Sequence, residues 1–333
     1  MFFNFILIFV KYTLRLITQS IFIKKKIIPI VEKSCKKINY QLSKEDKKKL
    51  YKMYPLLTVC VFAENFTLLT NRTLTLSERK KLSLLSVMMP LCDDLTDEEK
   101  WTKKDLLIFF ETLKFNSPLY KTSLKAELII EIHKIFITYS ISENYFECLR
   151  NALIAQSDSI LQFNPNLTIN EIYSISKSKS GLTQLLIASL INEDWTETHL
   201  KIFYQSGIIV QLINDIFDIY KDLHDGIYTI VTKISSITEL KNIYVNEIEK
   251  LNLLIRNLSL KKRKQNKIND YFAVINAFGL LGIHKLLEIE KKYSNKADWK
   301  NIQRKELIFD MDNLKNKLLY MKYFFVTSKI QKK

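Results

Sequence analysis

Five glycines and five prolines are too few to turn 333 residues through a many-stranded sheet. Long helices joined by polar turns are the economical alternative, and a 47% hydrophobic composition supplies a large core for them. Cysteine is scarce as well. Cys35, Cys60, Cys92 and Cys148 lie far apart and form no CxxC pair, which argues against a disulfide framework or a structural zinc cage and fits a reducing, cytoplasmic compartment. The four histidines are scattered, so a histidine-based metal site is not expected either. Acid is short relative to base: 35 Asp and Glu against 51 Lys and Arg leave a formal charge of +16. Such a balance suits nucleic acid, an anionic membrane or a polyanionic substrate. It also suits simple bias, because Lys, Ile and Asn are frequent throughout. The densest run, Lys261–Lys267 (KKRKQNK), reads as a solvated loop between helices. No RNP-like aromatic pattern or zinc-finger spacing accompanies it, and nucleic acid is not an expected partner.

What the chain has in quantity is helical periodicity. Residues 1–23 (MFFNFILIFVKYTLRLITQSIFI) are strongly apolar and precede Lys24, Lys25 and Lys26. They resemble neither a signal peptide, lacking a basic start and a small-residue cleavage site, nor a clean span, being interrupted by Asn4, Lys11, Arg15 and Gln19. Lys11, Arg15 and Gln19 recur every fourth residue and predict one polar stripe on an amphipathic helix. That helix could pack on the rest of the chain or make peripheral contact with a membrane surface. Residues 1–30 are read as this N-terminal helix and residues 31–333 as one α-helical domain. Within it, 31–54 reads as a Lys-rich helix, and two apolar helical segments between Leu56 and Leu91 break near Asn71–Ser77. Pro90 predicts a kink. Thr102 with Asp105, and Thr168 with Glu171, have capping-box spacing. Gly181, in mid-helix, suggests a kink or a close approach. Further helices fill 237–258, 268–293 and 300–330.

Two clusters carry chemistry. In QLINDIFDIYKDLHDG (Gln211–Gly226), Asn214, Asp218 and Asp222 stand four apart and fall within roughly 80° on a helix. The intervening Ile213, Ile216, Phe217, Ile219 and Leu223 make the helix a core element. Carboxylates aligned on it repel one another and are costly to bury. A hard divalent cation with oxygen ligands is the natural counter-charge. The second cluster is Asp93-Asp94-Leu95-Thr96-Asp97, closing an apolar run. Two acidic helix faces in an all-α chain suggest facing walls of a bundle that hold metal ions and a diphosphate between them.

DDLTD at 93–97 resembles the DDxxD motif of class I isoprenoid synthases, the terpene synthase and trans-prenyltransferase superfamily. NDIFDIYKD at 214–222 is similar to their second, nine-residue metal motif. The resemblance extends loosely over about residues 50–325. It implies a single-domain helical bundle with a central apolar cavity and a Mg²⁺-dependent activity on a prenyl diphosphate. It places two Mg²⁺ ions on Asp93 and Asp97, with Asp94 as a ligand or close neighbour, and a third on Asn214, Asp218 and Asp222. It assigns Lys221 to diphosphate, with Lys177 and Lys179 before Gly181 as candidate diphosphate sensors. Lys322-Tyr323 stands where many members have an Arg-Tyr pair. Asp218 departs from the Ser or Thr of terpene synthases, Asp222 from the usual Glu, and Pro90 is unusual before the first motif. Chain elongation would need an arginine-rich isopentenyl diphosphate site. The Gly-Gly-Lys segment and the Arg-Arg pair of that site are absent here, which favours cyclisation in a cavity whose walls could include Phe109, Phe110, Tyr173 and Phe217. The expected enzyme is therefore a class I terpene synthase that releases diphosphate. The alternatives are a trans-prenyl diphosphate synthase, a head-to-head coupling enzyme, or a non-catalytic basic helical protein on RNA or membrane. The expected partners are the prenyl diphosphate, a membrane surface for residues 1–23 and, as an assembly, a homodimer.

Overall fold

A computed structural model describes residues 2–119, 121, 123–191, 194–293, 299–307 and 313–330, with the side chains of residues 2 and 3 excepted. The protein is all-α, with no strand among the described residues. The longer helices are α1 (Phe2–Phe22), α2 (Ile28–Lys37), α3 (Lys44–Thr70, a succession of α and π turns), α4 (Leu76–Asp97), α5 (Lys103–Phe115) and α6 (Leu124–Phe136). They continue with α7 (Glu143–Asp158), α8 (Ile169–Ala188), α9 (Glu197–Phe217), α10 (Ile219–Asp225), α11 (Ile237–Arg256), α12 (Lys262–Lys292) and α13 (Leu314–Ile330). Backbone contacts divide the chain into two compact units, residues 2–160 with 182–194 and residues 161–181 with 195–333.

In the N-terminal unit α4 is the central rod. Thr75 caps it through a capping box with Glu78, and it runs unbroken past the buried Pro90 to Asp97. Against it pack α6 and α3, while α5 packs on α7. The predicted break is in place: Asn71 takes a left-handed conformation (φ 63°) and residues 72–75 are irregular. The predicted helix over 31–54 is not continuous. It ends at Lys37, turns at Asn39 (φ 52°), and restarts at Lys44 behind a Ser43–Asp46 capping box. No break marks residue 30, because α2 runs through it.

In the C-terminal unit α9, α11, α12 and α13 pack side by side. Ile209, Leu212 and Ile216 of α9, Tyr244, Ile248 and Leu251 of α11, and Phe272, Leu280 and Ile283 of α12 form the core. Each such side chain contributes on the order of 1.5–3 kcal/mol by burial. The Tyr244 ring lies on Gly279, where any Cβ would overlap it, and its O–H donates to the Asn276 carbonyl at 3.0 Å. Gly181 plays the same part for Tyr204, so it provides the close approach while α8 continues through it. The KKRKQNK run is not a loop. From Lys262 onward it forms the first turns of α12.

Candidate metal centre

The acidic helix is divided. α9 starts at a Thr196 cap and stops at Phe217, and Asp218 adopts φ −95°, ψ 6° before α10 resumes at Ile219. Hydrogen bonds from Asp218 N to Asn214 O (2.8 Å) and from Asp222 N to Asp218 O (2.9 Å) keep the four-residue stagger across the junction. Gly226, with φ 73°, ends the element. Leu212, Ile216 and Ile219 point into the core and hold the junction in place.

The side chains sort differently from the expectation. Asn214 is exposed and hydrogen-bonds the Asp218 carboxylate. The buried acid is its neighbour Asp215, which is 1% exposed. Gln211 Nε2 donates to Asp215 Oδ1 at 2.8 Å, and Oδ2 is buried with no hydrogen-bond partner. Burial pushes the Asp215 carboxyl up to about 7, Gln211 and Lys179 pull it down, and Asp218 pushes it further up. Asp222 is raised to about 8, first by burial and then by repulsion from Asp215 and Asp218, with Lys221 opposing. Asp218 is raised by burial too, against Lys221 and Asn214. Asp215, Asp218 and Asp222 thus form one mutually repelling trio at i, i+3 and i+7, within roughly 60° on a helix. Asp215 was missed in the sequence. The signal for it was that spacing, together with Gln211 one turn earlier.

In the N-terminal unit, Asp93 is half-buried at the end of α4 and accepts the Tyr54 O–H at 3.2 Å. The Asp93 charge, with burial, holds the Tyr54 phenol well above its ordinary range. Asp93 lines an apolar cavity of about 60 Å³ with Met88, Met89, His133 and Tyr145. His133 Nε2 is buried with no hydrogen-bond partner, and burial lowers that imidazole to about 4. Asp94 faces the other way. It is buried between Lys125 (2.8 Å) and Lys49 (3.4 Å). Lys125 also pairs with Glu98. Burial opposes its charge, but the bonds to Asp94 and Glu98 raise the ammonium above its usual range. Asp97 is exposed, and its Oδ1 lies 3.2 Å from Thr96 Oγ1.

The basic candidates separate as well. Lys221 is exposed and Lys179 acts on Asp215. Lys177 instead lies over the Tyr173 ring and 3.8 Å from Glu247, which is buried and further bound by Lys250 and Gln205. Tyr323 sits beside His284 of α12, with ring centroids 5.7 Å apart. Phe109 and Phe110 are buried in the N-terminal unit but do not line its cavity.

The donors of the trio are all carboxylate oxygens, one of them orphaned, and they fit a hard cation such as Mg²⁺. Among the described residues no three His, Cys, Asp or Glu side chains converge on one cation position. The three carboxylates are thus neighbours along the element and do not close around one cation position. That suits Mg²⁺, which retains waters and takes substrate oxygens for its remaining positions. Asp94 does not fit the role, because two lysines already neutralise it. Compared with known protein-family models and with curated proteins, the chain matches none.

Proposed function

We propose that the protein is a Mg²⁺-dependent class I terpene synthase, ionising a linear prenyl diphosphate and cyclising the resulting cation with release of diphosphate. The observation that carries this reading is the trio Asp215, Asp218 and Asp222. Its carboxylates, buried at Asp215 and Asp222 and half-buried at Asp218, repel one another when charged, and Asp215 Oδ2 has no partner. Such an arrangement calls for a cation. Bound there, Mg²⁺ would supply electrostatic stabilisation for a departing diphosphate. Lys221 and Lys179, beside the acids, would balance diphosphate charge. Asp93 and Asp97 serve as the ligands of the first motif, and Asp94 serves the fold through its lysines. The cavity beside Asp93 holds little more than one or two waters' volume, so a prenyl chain needs more room than that cavity alone offers.

A trans-prenyl diphosphate synthase is the second reading. It is favoured by Asp218, an acid where cyclases place a hydroxyl. The test incubates the full chain with geranyl, farnesyl and geranylgeranyl diphosphates, with and without Mg²⁺ and isopentenyl diphosphate. Cyclic hydrocarbons or alcohols formed only with Mg²⁺ support the first reading. Longer linear diphosphates formed only with isopentenyl diphosphate replace it with the second. Failure to release diphosphate from every substrate rejects both.

A further inference from the structure

Among the described residues three helices are long and apolar enough to cross a membrane: Asn4–Lys37, Lys44–Thr70 and Lys262–Lys292. The most apolar window of the first is only 22% buried, against 50% and 61% for the others. Its inward face mixes Ile8 and Ile23, which are buried, with polar groups that find partners in the N-terminal unit. Tyr12 O–H donates to Asn65 Oδ1 at 3.0 Å, and Arg15 Nε lies 2.5 Å from Glu64 Oε2. Gln19, fully buried, donates to Ser83 Oγ and accepts from Arg79, both at 2.8 Å. The face turned outward carries Ile6, Val10, Leu14, Ile17 and Ile21, each 44–58% exposed. Their spacing of four, four, three and four residues makes one continuous stripe. Lys24, Lys25 and Lys26, all exposed, follow directly. A helix packed on a body surrounded by water ordinarily turns its polar residues outward; here a continuous aliphatic stripe stays exposed while Tyr12, Arg15 and Gln19 are bonded inside.

We propose that the outward face of α1 lies in the plane of an anionic membrane surface. The aliphatic stripe enters the boundary between headgroups and acyl chains, and Lys24, Lys25 and Lys26 engage the anionic headgroups. Two observations select this occupant. The lysine triplet beside the stripe complements anionic lipid, whereas a second copy of a +16 chain brings the same charge. The bonds from Tyr12, Arg15 and Gln19 to α3 and α4 hold the helix against its own unit, as an in-plane element requires. The inference is independent of the reaction proposed above.

The test is flotation of the full chain with vesicles of phosphatidylcholine alone or containing phosphatidylserine. The chain is expected to float with the anionic vesicles and to be released by alkaline carbonate. Lys24→Ala with Lys25→Ala and Lys26→Ala weakens binding about fivefold per lysine. Leu14→Asp with Ile17→Asp abolishes it while circular dichroism stays helical. If that pair unfolds the chain, the lysine variant, confined to exposed side chains, still decides. The proposal is overturned if the chain stays at the bottom of the gradient with anionic vesicles, or if the lysine and aspartate variants both float like the parent. Resistance to carbonate would mean a span instead. A dimer that Leu14→Asp with Ile17→Asp splits, without vesicle binding by the parent, would assign the face to a second copy.

Discussion

Asp215 holds a carboxylate in a place that favours its protonated form. Burial and the neighbouring Asp218 raise it to about 7, and the same forces raise Asp222 to about 8. The folded chain therefore keeps protons that the unfolded chain has lost. From these two groups, stability falls as pH rises between about 4 and about 8, then levels off. His133 acts oppositely: its folded value of about 4 lies below the ordinary 6.5, so its contribution rises with pH between those values. Comparing variants isolates the aspartate. In chelator, Asp215→Asn is expected to match the parent only near pH 4 or below and to exceed it by about 4 kcal/mol at pH 8 by denaturant unfolding. The same variant should bind Mg²⁺ at least about tenfold more weakly in the presence of inorganic diphosphate. A variant that gained no stability at pH 8 would mean that Asp215 is satisfied in some other way.

At the scale of elements, local signals were legible and facing was not. The capping boxes at Thr102–Asp105 and Thr168–Glu171 stand where their spacing put them. The break before Leu76 does too, because caps and breakers act within four residues. The period of α1 read as a polar stripe through Lys11, Arg15 and Gln19; Arg15 and Gln19 turn inward while Lys11 is exposed, and a helical period does not say which side meets the body. The inward ion pair with Glu64 and the hydrogen bond from Arg79 involve residues about 50 to 60 positions away. For the same reason the lysines that flank Asp94 could not be read from its motif. Lys125, its closest partner, lies 31 residues further on. Asp94→Ala is expected to destabilise the protein by about 1–3 kcal/mol, leaving Lys125 partly buried without its main partner, and to leave Mg²⁺ affinity unchanged. Loss of Mg²⁺ binding at full stability would return Asp94 to the ligands. Gly181→Ala drives a methyl into the Tyr204 ring. It should cost about 1–3 kcal/mol by thermal denaturation, and Tyr204→Ala in the same chain should relieve part of that loss.

At the scale of the molecule, the low glycine and proline content foretold an all-α chain, and the structure is one. The four-residue acidic stagger on α9 and α10 was legible in the sequence, but not which of its side chains are buried. Asn214 turned outward and Asp215 inward, because the apolar positions Leu212, Ile216 and Ile219 set the rotation of the element. Which polar side chain of such a helix is buried is thus decided by its apolar neighbours, which spacing alone does not reveal. We propose that Asp215, Asp218 and Asp222 form a divalent-cation site that acts on diphosphate. Calorimetric titration of Mg²⁺ into the full chain with inorganic diphosphate, near pH 7 in two buffers of different ionisation enthalpy, tests it most directly. Saturable binding that releases protons and tightens as pH rises through about 7 to about 8 is the predicted result. Binding without proton release, or binding undiminished in a chain carrying Asp215→Asn and Asp222→Asn together, would contradict it.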